Sequence, residues 1–106
     1  IYYPVVMPPD NGTDSIEDLY FSLDLYPNPF HTELNLDIEV AAAAEIVIEL
    51  FDITGRKHHQ ESFRLEEGYS QHRLNAAMVQ QLDKGIYLVR ILLNGSPVET
   101  RRVVKK

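Results

Sequence analysis

The stretch Glu33-Leu34-Asn35-Leu36-Asp37-Ile38-Glu39-Val40, ELNLDIEV, alternates polar and apolar residues without a break. Successive side chains of an extended strand point to opposite faces, so Leu34, Leu36, Ile38 and Val40 share one face and the four polar residues the other. The segment reads as a strand with one face in a core and one in water. The same pattern recurs on both sides. Phe21, Leu23 and Leu25 alternate with Ser22 and Asp24, while Ile46, Ile48 and Leu50 of EIVIELFD leave Val47 and Phe51 on the opposite face. Ala41 to Glu45, between two such strands, is too short to nucleate a helix despite its alanines and reads as a tight connection.

Later segments extend the pattern. GIYLVRILLN, from Gly85, is apolar on both faces except at Arg90, as in a strand near the middle of a sheet and covered on most of its length. Pro97 restricts the start of a last strand that runs over Val98 to Val104. Asp52-Ile53-Thr54-Gly55 suits a type I turn with glycine at a positive φ, Asn94-Gly95 is a strong two-residue hairpin signal, and Glu66-Glu67-Gly68 is a plausible third turn. Asn75 caps a short helical connector, AAMVQQL, which ends near Asp83-Lys84-Gly85, with Gly85 as its stop. About seven short strands with turns roughly every ten residues predict an all-β, immunoglobulin-like β-sandwich of antiparallel strands with one short helical connector.

LYPNPF, at 25 to 30, sits before the opening stretch. Proline lacks an N–H and pushes the preceding residue toward extended geometry, so Tyr26-Pro27-Asn28-Pro29 is expected to be a stiff, extended corner.

At 106 residues and without cysteine, the chain is one domain held by burial alone, with no disulfide and no Cys-based zinc site. A formal charge of −6 argues against nucleic-acid binding. No apolar run reaches the roughly 18 residues of a membrane-spanning helix. The chain does not begin with Met and shows no signal peptide, so it reads as a fragment of a longer protein. Residues 1–20 read as a linker, with Tyr2, Tyr3, Val5 and Val6 as the frayed end of a preceding domain, and 21–106 as the sandwich. Asp10, Asp14, Glu17 and Asp18 make the leader acidic, whereas the tail RRVVKK carries only basic charge.

Catalytic chemistry is hard to find. His58 and His59 point to opposite faces if extended, His72 shares a face with Leu74, and His31 lies exposed after the corner. A metal site would need His58 or His59 to meet His72 and a carboxylate across strands, and no metal or other cofactor is expected. Ser62, Ser70, Thr32 and Thr54 lack elbow-type glycines, and no Gly-rich phosphate loop exists. Asn11-Gly12-Thr13 and Asp14-Ser15-Ile16 are formal glycosylation acceptors, read as linker chemistry.

Five landmarks in order, LYPNPF, LNLDIEV, IELFDITGRK, LDKGIYLVRI and TRRVVKK, resemble the type IX secretion system C-terminal sorting domain, over about Leu23 to Lys106. The resemblance implies a non-enzymatic secretion signal of Gram-negative bacteria that folds in the periplasm and directs an attached N-terminal cargo across the outer membrane. Its implied partners are the outer-membrane translocon or shuttle and a surface sortase, which removes the domain and anchors or releases the cargo at the surface. Tyr26, Pro27, Asn28, Pro29, Asp52, Gly55, Gly85 and Tyr87 match its motifs, each with a structural role: turns at the glycines, and a core filler with its hydroxyl at the rim for Tyr87. Secretion recognition is expected at Arg101, Arg102, Val103, Val104, Lys105 and Lys106, by addition of the last strand to a partner's sheet edge. Arg101 and Arg102 point to opposite faces, as do Lys105 and Lys106; the alternative role of these charges is to keep an edge strand soluble. The sortase cut is expected in the exposed leader, at Pro9, Asp10, Asn11, Gly12, Thr13, Asp14 or Ser15. A monomer is expected, with no nucleic acid and no membrane span. The competing reading is a carbohydrate-binding or spacer β-sandwich module of a secreted protein. It is weakened by the lack of Trp and by a core expected to take Phe30, Phe51, Phe63 and Tyr87.

Overall fold

The computed structural model describes Tyr2–Pro4 and residues 20–106. In it, β1 (Tyr2–Pro4), β2 (Tyr20–Tyr26), β3 (Asn35–Val40), β4 (Ala44–Asp52), β5 (Lys57–Leu65), β6 (Gly68–Arg73), α1 (Ala76–Gln81), β7 (Gly85–Leu93) and β8 (Ser96–Lys105) follow in chain order. One four-stranded sheet has the order β1-β2-β3-β6 and the other β5-β4-β7-β8, with all neighbours antiparallel. The expected β-sandwich is present.

Alternation accounts for the core. Leu34, Leu36, Ile38 and Val40 are at most 4% exposed, which fixes the inner face of β3. Phe21, Leu23 and Leu25 of β2 meet Ile46, Ile48 and Leu50 of β4 and Tyr87, Val89, Ile91 and Leu93 of β7 in one buried cluster. Each such side chain contributes about 1.5–3 kcal/mol on burial, enough in sum to hold a domain without cross-links.

Turn chemistry holds at two hairpins. The Gly55 N–H donates to the Asp52 carbonyl at 3.0 Å, with Gly55 at φ +91°. Asn94 and Gly95 adopt φ +51° and +84°, the doubly left-handed geometry that matches strand twist. The third turn is different: Glu66-Glu67 does not close a hairpin, because β5 and β6 lie in different sheets. Turn composition marks a change of direction but not the sheet in which the next strand pairs.

Four other expectations are corrected. The corner is not extended: Asn28 and Pro29 are bends, and both proline bonds, Tyr26–Pro27 and Asn28–Pro29, are cis; pre-proline sterics restrict φ and ψ but leave the peptide isomer open. Tyr2–Pro4 pairs with β2, so these residues add a strand to the sandwich instead of ending a preceding domain. The helix ends at Gln81, and Gly85 opens β7 instead of stopping it. Phe51 lies on the outer face of β4 and Phe63 is only partly buried, leaving Phe30 and Tyr87 as the buried pair among those four aromatics.

Candidate functional site

The corner and the tail, far apart in sequence, meet. β8 is an edge strand of its sheet, and beyond the corner Phe30 forms a parallel bridge with Lys105. The Phe30 N–H donates to the Val104 carbonyl at 2.8 Å, and the Lys106 N–H donates to the Phe30 carbonyl at 2.9 Å. The Asn28 side chain continues the ladder: its Nδ2 donates to the Arg102 carbonyl at 3.1 Å and its Oδ1 accepts from the Val104 N–H at 3.0 Å. His31 Nδ1 lies 3.0 Å from the Lys106 carbonyl oxygen. Asn28 and Pro29 form bends, and residues 28–31 run beside β8. From Arg102 onward the outer edge of β8, where strand addition by a partner was expected, is occupied by the protein's own residues 28–31.

The tail residues divide by face. Val103 is 1% exposed, and Lys105, at 6%, sends its ammonium inward to donate to the Val79 carbonyl at 2.7 Å, 5.8 Å from the Phe30 ring centre. Lys105 thus holds the helix against the strand and does not keep an edge soluble. Arg101 pairs with Glu99 and donates to the Leu23 carbonyl at 3.3 Å, tying β8 to the opposite sheet. Arg102 and Lys106 are exposed and Val104 is half-buried; in register, Arg102 lies opposite Leu88 and Val104 opposite Ile86. The expected alternation of faces holds, and it separates residues available to a partner from residues that build the fold.

Other motif residues have structural partners. The Tyr26 hydroxyl donates to Asp37 at 2.8 Å. The Asp52 carboxylate accepts from the Thr54 and Arg56 N–H groups and lies 2.8 Å from His58 Nε2. The Thr54 hydroxyl, then the His58 contact, outweighs desolvation and holds that carboxyl far below its ordinary value. The Tyr87 hydroxyl donates to the Asp83 carbonyl at 2.7 Å, its ring buried and its tip at the rim. The cleavage segment Pro9 to Ser15 and both glycosylation patterns lie outside the described residues.

His59 and His72 do converge with a carboxylate. Their Nε2 atoms each lie 2.7 Å from a different oxygen of Glu61, which also accepts the Asn75 N–H at 2.7 Å. Among the described residues no group of three or more His, Asp or Glu is placed to hold a metal ion. This is a structural clasp joining β5, β6 and the helix cap. The sequence named His59 and His72 as groups that could meet a carboxylate but not which one, because β5 and β6 lie in different sheets and their contact depends on the crossover at Glu66-Glu67. Likewise no helix of the described residues is long and apolar enough to cross a membrane.

The class is that of a small two-sheet β-sandwich in which the proline corner docks against the C-terminal strand. A family model described as "Secretion system C-terminal sorting domain" matches residues 24–106, and the chain belongs to that family: it is a type IX secretion sorting domain, the signal that directs attached cargo for export. No curated protein sequence matches it. Among solved structures it is similar to dimeric latent PorU from Porphyromonas gingivalis, with TM-score 0.66 and 17% identity over 81% of this chain and 9% of that one. That likeness is one of fold. β-Glucosidase from Listeria innocua in complex with glucose matches with TM-score 0.46 and 17% identity, over 80% of this chain and 16% of that one. The enzyme from Kluyveromyces marxianus gives TM-score 0.46 and 11% identity, over 81% and 14%. The chain spans less than a fifth of each of these structures.

Proposed function

We propose that the export apparatus reads the docked tail, through Arg102, Val104 and Lys106, while Arg101, Val103 and Lys105 hold that tail in place. The supporting observation is the double contact of Asn28 with Arg102 and Val104, which presents the tail as an ordered surface in place of a free strand. Positive charge at Arg102 and Lys106 steers association with an acidic partner surface. The domain itself performs no catalysis. It folds in the periplasm as a monomer, carries its N-terminal cargo to the cell surface, and is removed there by a sortase cutting within residues 9–15, with the cargo anchored or released.

The test is a periplasmic reporter fused to the 106-residue chain, in hosts with and without the type IX machinery. Surface display only in the equipped host is expected, and removal of residues 102–106 should leave the reporter in the periplasm. Undiminished display after that truncation would refute the reading. N-terminal sequencing of the processed reporter locates the cut, and a cut inside 20–106 would refute the leader assignment.

A further inference from the structure

Strand β7 carries two apolar faces, and the fold uses one. Tyr87, Val89, Ile91 and Leu93 enter the core, whereas Ile86, Leu88 and Leu92 point to the other side of the sheet. The sequence, apolar on both faces, predicts cover on most of its length; on that side Leu88 and Leu92 are half-buried and Ile86 is open. Ile86 is 37% exposed. Phe51 on β4 is opposite Leu88, and Val104 on β8 is opposite Ile86, so half-buried apolar side chains adjoin across three strands, while the Glu49–Arg90 pair separates them from Val47 and Leu92. Beside it, Arg90 Nε and Lys57 Nζ lie 2.8 and 3.1 Å from the two oxygens of Glu49, itself only 8% exposed. Arg90 and Lys57 also stand 5.7 and 6.0 Å from the Phe51 ring centre. That network fixes the centre of the face, and Lys57, Arg90 and Arg102 give it a basic surplus.

We infer that this outer face of the β5-β4-β7-β8 sheet is a docking surface for a protein of the export apparatus that presents apolar side chains ringed by carboxylates. The inference rests on the sorting reading above and extends its contact area from the tail to β7 and β4. Contiguous apolar surface on a sheet face marks an interaction site more often than a solvated one. Charge complementarity selects the occupant. A second copy docked through the same face would set Arg90 and Arg102 against their own kind. A carboxylate-bearing partner would be drawn to them. Continuity supplies the second argument, since Arg102 and Val104, already assigned to recognition, border Leu88 and Ile86 in register.

Leu88→Glu in the 106-residue reporter fusion tests this, with Tyr69→Glu on the opposite sheet as the control. Leu88→Glu should lower surface display about tenfold, the effect of losing one interface anchor, and Tyr69→Glu should leave it unchanged. If Leu88→Glu is displayed normally while loss of residues 102–106 abolishes display, this inference falls and the tail reading stands. Failure of the unaltered fusion to be displayed removes both. Should Leu88→Glu prove unfolded, a photo-crosslinking amino acid at Leu92 decides. An adduct with a protein of the secretion machinery supports the proposal. No adduct, or adducts only with residues 1–19 or with a second copy, overturns it.

Discussion

The carboxamide of Asn28 stands against the backbone of Val104 as a neighbouring strand residue would, its Oδ1 taking the Val104 N–H at 3.0 Å across 76 positions of sequence. One side chain therefore extends a backbone ladder that the bend after Pro27 cannot supply. Replacement by alanine removes this bond and the one to Arg102, each contributing about 0.5–1.5 kcal/mol. Asn28→Ala is expected to lower the thermal midpoint by roughly 4–8 °C per kcal/mol lost. Hydrogen exchange should quicken first at Val104, and unchanged exchange there would contradict the ladder role.

Two adjacent lysines should behave oppositely. Lys105→Ala removes a buried ammonium bonded to the Val79 carbonyl, together with the packed stem. A hydrogen bond to a charged group is worth about 1.5–3 kcal/mol, so denaturant unfolding should shift by at least that much. Lys106→Ala touches an exposed side chain and should stay within about 0.5 kcal/mol. In the export assay the order reverses for folded protein, with Lys106→Ala the variant whose defect cannot be traced to stability.

Acid should loosen the Glu61 clasp. Burial opposes its charge, but the Asn75 N–H and then His72 and His59 outweigh burial and hold the carboxyl below its ordinary value. A depressed folded-state value means that the stabilisation is present above the unfolded value of about 4.3 and is lost as pH falls through the lower folded value. Glu61→Gln should lower stability at neutral pH and flatten that part of the acid limb. Urea titrations at several pH values in parallel with the parent would reveal it, and an identical acid slope would dismiss the clasp.

Gly55 offers a purely conformational test. At φ +91° an added Cβ meets no atom within 4 Å, so any effect comes from the backbone alone. Gly55→Ala should be destabilising by about 1–2 kcal/mol. The denaturant midpoint should move while the slope, which reports exposed area, stays constant.

Much of the architecture could be read from period-two alternation, because a strand with one wet face leaves the same imprint wherever it pairs. ELNLDIEV, EIVIELFD and the turns at Gly55 and Asn94 were readable for that reason. What escaped depends on long-range geometry. Proline reports a bend but not its peptide isomer, and the bends at Asn28 and Pro29 read in sequence as an extended corner. Glu66-Glu67-Gly68 signals a reversal without saying that the next strand joins the other sheet, and with that crossover unseen Glu61 could not be named as the carboxylate that His59 and His72 meet. Alternation in the tail put Arg101 and Arg102, and Lys105 and Lys106, on opposite faces without saying which face is the buried one. Only the packing of β8 shows that Lys105 serves the interior, and only the docking of Phe30 shows that the edge was already taken.

That docking has a mechanical corollary for any receptor that grips the ordered end. The surface around Val104 does not exist until Asn28 and Phe30, near the start of the sandwich, have been threaded into position. In a chain whose front half is unmade, Val104 lacks its Asn28 and Phe30 partners, so a receptor gripping the ordered end would engage the module only once it is whole.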